Sequence, residues 1–163
     1  MRLRRPLVVL PLVVVAATVL AAAVHPAVAK TCRQNAINET PNDSYLPGSP
    51  VRTVAGRGHV LRGVVRSTST CRTIARAKLE FFQAGLDGNY SDGVNSWAGR
   101  ATVFTKADGG YRFESRYPSN SAGVRPHIHF RVSAPGFETM HRTYFVQAAK
   151  RSVVIEVRLE PAP

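Results

Sequence analysis

The chain has 163 residues, 22 Lys and Arg against 10 Asp and Glu, a formal charge of +12 and 44% hydrophobic residues. That length holds one ordinary domain, and its two cysteines, Cys32 and Cys71, lack metal-ligand spacing, which excludes a metal site built from cysteine. The positive residues are spread along the chain with no RNA- or DNA-binding motif beside them, so the charge reads as a cationic surface and no nucleic-acid partner is expected.

Arg2, Arg4 and Arg5 form a basic start, Leu7 to Val24 is apolar except for Pro11 and Thr18, and Ala27-Val28-Ala29 is a small-residue cleavage site. This pattern predicts a secretory signal peptide over residues 1–29, a mature N-terminus at Lys30 and an extracellular protein with no stable membrane insertion after cleavage. An uncleaved anchor is the competing reading, since the run is nearly long enough to span a bilayer. Loss of three leader arginines would lower the charge from +12 to +9. Export also makes a Cys32–Cys71 disulfide the expected state of the two thiols.

Residues 30–55 are rich in Asn, Pro, Ser and Thr without periodicity and are expected to form an irregular N-terminal arm. Over residues 56–163 the pattern changes to short β-like runs: His59 to Arg66, Ala77 to Gln83, Ala101 to Lys106, Tyr111 to Arg116, His127 to Ser133, Arg142 to Val146 and Ser152 to Leu159. Alternation is clear where Leu79 and Phe81 interleave with Lys78 and Glu80, and where Val153, Ile155 and Val157 interleave with Val154, Glu156 and Arg158. Asp87-Gly88, Asp92-Gly93, Asp108-Gly109 and Pro135-Gly136 punctuate the runs as turns. No segment has a helical period, so the expected fold is all-β, an antiparallel β-sandwich of about seven or more short strands.

The run Arg125-Pro126-His127-Ile128-His129-Phe130 carries the most chemistry. Successive side chains of a strand point to opposite faces, so His127, His129 and Arg131 share one face and Ile128, Phe130 and Val132 the other. The apolar face belongs in a core, leaving two imidazoles projecting together from a rigid element. Alone, such a pair is more often a polar strand face than a metal site. With Tyr90 and Tyr117 it becomes two imidazoles and two phenols, a set that can hold a ferric ion, because Fe(III) favours anionic oxygen and drives a phenol to ionise far below its free pKa of ~10. Each tyrosine also has a plain reading: Tyr90 as a loop aromatic between Asp-Gly turns, Tyr117 as a packing residue held extended by Pro118.

From Gly56 to Phe145 the chain resembles the intradiol ring-cleavage dioxygenases. Gly63-Val64-Val65, Cys71-Arg72-Thr73-Ile74-Ala75, Phe82-Gln83-Ala84, Gly88-Asn89-Tyr90, Asp108 to Phe113, Tyr117-Pro118, Arg125 to Phe130 and Tyr144-Phe145 occur in the family's order. The resemblance implies a β-sandwich with non-haem Fe(III) near one end, iron ligands at Tyr90, Tyr117, His127 and His129, and a charge-stabilising arginine at Arg125. It implies that Tyr117 leaves the metal as an internal base, and that the substrates are a catechol-type aromatic and O2, giving a muconate-type diacid. The chain departs from the pattern in three places. Many members have one more residue between the arginine and the first histidine; His141-Arg142-Thr143 replaces a run that usually carries glutamine; and the Tyr90–Tyr117 segment is compact. The second arginine leaves open whether Arg125 or Arg142 supplies the charge. A non-catalytic sandwich that binds carbohydrate or aromatics and a degenerate iron-binding member are the rival expectations, and homo-oligomerisation stays open.

Overall fold

The structure is a computed structural model that describes Cys32, Glu39, residues 44–148 and residues 150–163. The expected leader over 1–29 and the mature start at Lys30 lie outside the described residues, as does much of the arm. The Cys32–Cys71 disulfide is formed.

Among the described residues eight strands follow in chain order: β1 (His59–Ser67), β2 (Lys78–Gln83), β3 (Ala101–Phe104), β4 (Gly110–Ser115), β5 (His127–Ser133), β6 (Met140–Phe145), β7 (Ser152–Val154) and β8 (Val157–Leu159). They make two four-stranded sheets, one ordered β4-β1-β7 with β8 also on β1, the other β3-β2-β5-β6. The all-β sandwich is as expected, with element bounds within about two residues of the sequence pattern except at the C-terminus.

The core lies between the sheets because each strand turns its apolar alternate residues inward. Leu61, Val65, Phe113, Val157 and Leu159 meet Leu79, Phe81, Ile128, Phe130 and Val132, all buried. Phe81 and Phe113 stack across the interface with ring centroids 4.4 Å apart. In the second sheet the register pairs Phe81 with Phe130, Phe82 with His129 and Glu80 with Arg131, and His129 with Thr143 and His127 with Phe145. The outer face of that sheet therefore carries cross-strand rows of polar and aromatic side chains. Glu80, only 5% exposed, tolerates burial because Arg131 and Lys78 both pair with it. Burial opposes its ionisation, but those two partners outweigh it and hold the carboxyl below its ordinary pKa.

Two details differ from expectation. The last run is two strands, and both pair with β1 in parallel. Chain crossing back from the second sheet joins β1 on the side that β4 leaves free, running in the same direction. The break falls at Ile155-Glu156, where the Ile155 carbonyl accepts the Tyr111 phenol at 2.8 Å and the Ile155 N–H donates to the Arg62 carbonyl at 2.8 Å. Ile155 can approach this closely only because residue 63 is glycine: a Cβ there would lie 1.8 Å from the Ile155 oxygen. The period of two survives the break, with Ile155, Val157 and Leu159 all facing the core.

Gly63→Ala is expected to destabilise the fold by about 3 kcal/mol or more, at the upper end of ordinary overpacking, because backbone and not a side chain must yield. Urea unfolding followed by circular dichroism checks this.

Candidate functional site

β5 fixes the centre of the site. Ile128 and Phe130 are fully buried on the inner side, so His127 and His129 stand together on the outer face, ring centroids 4.7 Å apart and perpendicular. The loop after β2 returns Tyr90 over them. Its phenol oxygen lies 2.8 Å from His127 Nε2 and 3.4 Å from His129 Nε2. Each histidine has its other nitrogen engaged: His127 Nδ1 donates to the Arg125 carbonyl at 2.8 Å, and His129 Nδ1 faces the Thr143 hydroxyl at 3.1 Å. His127 therefore keeps its Nε2 lone pair toward Tyr90, and His129 Nε2 lies beside the same phenol oxygen.

Aromatic packing holds the imidazoles in place. Phe82 stacks on His129 with centroids 4.5 Å apart, Tyr45 meets Phe82 edge-on at 4.8 Å, and the Arg100 guanidinium lies 5.1 Å from the Phe82 centroid. Arg100 is 3% exposed and anchors the Tyr90 loop by donating to the Ser91 carbonyl and hydroxyl at 2.9 and 3.1 Å. Burial, followed by the neighbouring His127, pushes His129 down to about 4. Burial also raises the Tyr90 phenol above its ordinary value, against the opposing pull of the Ser121 hydroxyl and the Arg100 charge.

The other expected residues fall as follows. Arg125 is exposed and stacks on Phe145 at 4.5 Å, and the Phe145 ring is 5.8 Å from that of His127. Arg142 pairs in register with the inward Phe130, placing it on the opposite face of β6 from Thr143, away from the histidine pair. Of the two arginines, Arg125 is the one beside the site. Tyr117 is 40% exposed, and its ring meets His59 edge-on at 6.2 Å. It belongs to a second cluster in which fully buried His59 stacks on Tyr144 at 5.8 Å. His59 Nδ1 donates to the Lys150 carbonyl at 2.9 Å, and among the described residues its Nε2 has no hydrogen-bond partner. A cleft of about 160 Å³ runs beside Tyr117, lined by Gln83, Leu86 and Arg116, and one of about 150 Å³ beside Tyr90, lined by Asp87, Asn89 and Ser96. Both lie well under the ~300–1,000 Å³ of drug-sized sites.

Among the described residues no three His, Cys, Asp or Glu side chains gather as a metal group, so a metal here needs phenol oxygen. The Tyr90, His127 and His129 donors fit a ferric ion: two imidazole nitrogens and one phenol oxygen already converge. Sequence reading missed Thr143, Arg100 and His59 as residues packed at or beside the site. The first was accessible in principle from the β5–β6 register; the others carry no local signal.

No family model and no curated protein matches the chain. The class that fold and site define is an all-β sandwich with a Tyr and His-x-His cluster on the outer face of one sheet. Solved structures share this fold. The dioxygenase domain of a dioxygenase–carbohydrate-binding protein fusion from Streptomyces sp. SirexAA-E has a TM-score of 0.63 at 22% identity, over 82% of this chain and 100% of that one. Chlorocatechol 1,2-dioxygenase from Pseudomonas putida gives 0.60 at 20% identity over 81% and 72%. Hydroxyquinol 1,2-dioxygenase from Pseudomonas putida DLL-E4 gives 0.63 at 17% over 79% and 68%. The chain therefore has the fold of the intradiol catechol and hydroxyquinol dioxygenases.

Burial lowers the pKa of His59, outweighing the Lys150 carbonyl, so the folded state holds fewer protons there than the unfolded chain. Stability at this residue is full above the ordinary histidine value of 6.5 and is lost as pH falls below it. Urea midpoints of the metal-free protein should drop between pH 7 and 5, and His59→Leu should reduce that slope.

Proposed function

We propose that the protein is a secreted non-haem Fe(III) intradiol dioxygenase that opens catechol-type rings with O2 to muconate-type diacids. The observation that supports this most is the convergence of Tyr90 Oη on both Nε2 atoms of the His127–His129 pair, in a fold shared with dioxygenases of that class.

Tyr90, His127 and His129 would hold the iron, and Tyr117 would join them when its side chain turns from His59. Bound there, ferric iron would supply the Lewis acidity that favours a catechol dianion and the redox activity needed for reaction with O2. The protein's own part is positional and electrostatic. Phe82 and the Nδ1 hydrogen bonds fix the imidazole planes. Tyr117, at the rim of its cleft, would accept a catechol proton at Oη and leave the substrate room. Arg125 would hold a permanent positive charge near His127, against negative charge developing on the ring. Overall, one catechol and one O2 combine to a diacid containing all their atoms, with no added reductant.

The position of Tyr117 against His59 favours one rival, an iron-binding member without turnover; assay of purified protein with catechol and O2 separates the two. The apolar run and Ala27-Val28-Ala29 site support export, and secreted material should have an intact mass beginning at Lys30.

Purified protein is expected to bind about one Fe(III) per chain and to be coloured by tyrosinate-to-iron charge transfer. Tyr90→Phe should shift or bleach the band with the fold intact, and His127→Ala or His129→Ala should abolish iron uptake by metal analysis. A colourless protein that cannot be loaded with iron would end this reading.

With catechol, one O2 should be consumed and both oxygen atoms should appear in the diacid by mass spectrometry. Arg125→Ala should keep iron and colour yet lower kcat by about two to three powers of ten, as for removal of one preorganised charge donor. Full activity in Arg125→Ala would reject its role.

A further inference from the structure

Thr143 stands directly across from His129 in the β5–β6 register. Its Oγ1 is 3.1 Å from His129 Nδ1, and it donates to Glu39 Oε2 at 2.7 Å. A hydroxyl has one proton to give, and a carboxylate only accepts. Once that proton goes to Glu39, the Thr143 oxygen can meet Nδ1 only as an acceptor. His129 must then carry its hydrogen on Nδ1 and keep its lone pair on Nε2, the nitrogen 3.4 Å from Tyr90 Oη.

The two histidines reach the same tautomer by unlike means. His127 Nδ1 donates to a backbone carbonyl, that of Arg125, which any residue at that position would provide. His129 depends on two side chains, the second reaching in from the N-terminal arm. Glu39 is held there by its own N–H, which donates to the His141 carbonyl at 3.0 Å. It also lies seven residues after Cys32, whose disulfide to Cys71 ties the arm to the sandwich.

We propose that Glu39 and Thr143 are positioning residues for His129: a Glu39–Thr143–His129 relay, completed by the arm, that fixes the Nδ1–H tautomer and aims Nε2 at the cluster facing Tyr90. Its effect on iron rests on the functional reading above; its effect on the tautomer does not. An acceptor on Nδ1–H also raises the basicity of Nε2 as a ligand, and loss of such a partner typically lowers metal affinity about 10–100-fold. Without Glu39 the Thr143 hydroxyl is free to donate to Nδ1. The imidazole hydrogen then moves to Nε2 and masks the donor.

The test uses the full mature chain with two readouts: histidine 15N–1H spectra of the iron-free protein at pH 7, and iron affinity by titration with ferric nitrilotriacetate. Wild type should show His129 protonated on Nδ1. Thr143→Val and Glu39→Ala should each move its pattern toward Nε2–H and weaken iron binding about 10–100-fold. Thr143→Ser should restore both, while the His127 signals and melting temperature stay at wild-type values throughout. An Nε2–H pattern in wild type, or wild-type pattern and affinity in Thr143→Val, would overturn the relay. If the tautomer follows the variants but wild type takes up no iron, the relay stands and the dioxygenase reading falls.

Discussion

Everything at the candidate site follows from the burial of one face of β5. Ile128, Phe130 and Val132 have no exposed surface, and a slip of one residue would exchange them for His127, His129 and Arg131. Placing two imidazoles and a guanidinium in the core without partners would cost several kcal/mol, so the register is firmly set. Because β5 lies between β2 and β6, each outward residue acquires a neighbour on both sides: Phe82 and Thr143 flank His129. One neighbour packs on the ring face and the other bonds its edge. The orientation of the imidazole is thus a consequence of sheet order as well as of its own rotamer.

An outer sheet face rich in aromatic and charged groups needs cover, and the segment before β1 supplies it. Tyr45 packs on Phe82 and receives Arg131 over its ring at 4.7 Å. The Thr102 N–H donates to the Pro50 carbonyl at 2.7 Å, and Arg52 N–H donates to the Thr102 carbonyl at 3.0 Å, capping the exposed edge of β3. The Cys32–Cys71 bridge closes a separation of 39 residues. In the chain-entropy account such a loop is stabilised by on the order of 3 to 4 kcal/mol. The arm is therefore part of the site's architecture, since the same stretch carries Glu39 to Thr143.

The two phenols occupy different surroundings. Tyr90 is held among the imidazoles by a loop that Arg100 anchors, whereas Tyr117 rests on His59, on the side of the β5–β6 edge to which Tyr144 also turns. His59 is buried between the two tyrosine rings, and among the described residues its Nε2 and the Tyr144 hydroxyl have no hydrogen-bond partner. One phenol is thus held at the histidine pair and the other lies apart from it, at the rim of a cleft.

Period-two alternation over short runs, Asp-Gly turns and the absence of a helical period determined the sandwich, and the same alternation put His127 and His129 on one face. These are local properties, readable because burial acts on each strand separately. The resemblance to the intradiol dioxygenases, carried by motifs in their order along the chain, is what brought Arg125 to the list of candidates and strengthened the case for Tyr90. What the sequence could not decide depends on pairing between distant segments. Parallel addition of β7 and β8 to β1 required the close approach of Ile155 to Gly63, visible only once a Cβ is placed at 63. That Arg125 and not Arg142 lies beside the histidine pair turned on which face of β6 pairs with Phe130, and Tyr117's partner proved to be a histidine 58 residues earlier. Glu39 lies in a stretch without periodicity, and only the tertiary structure brings it to His129, because a hydrogen bond between residues so far apart leaves no pattern in the chain that makes it.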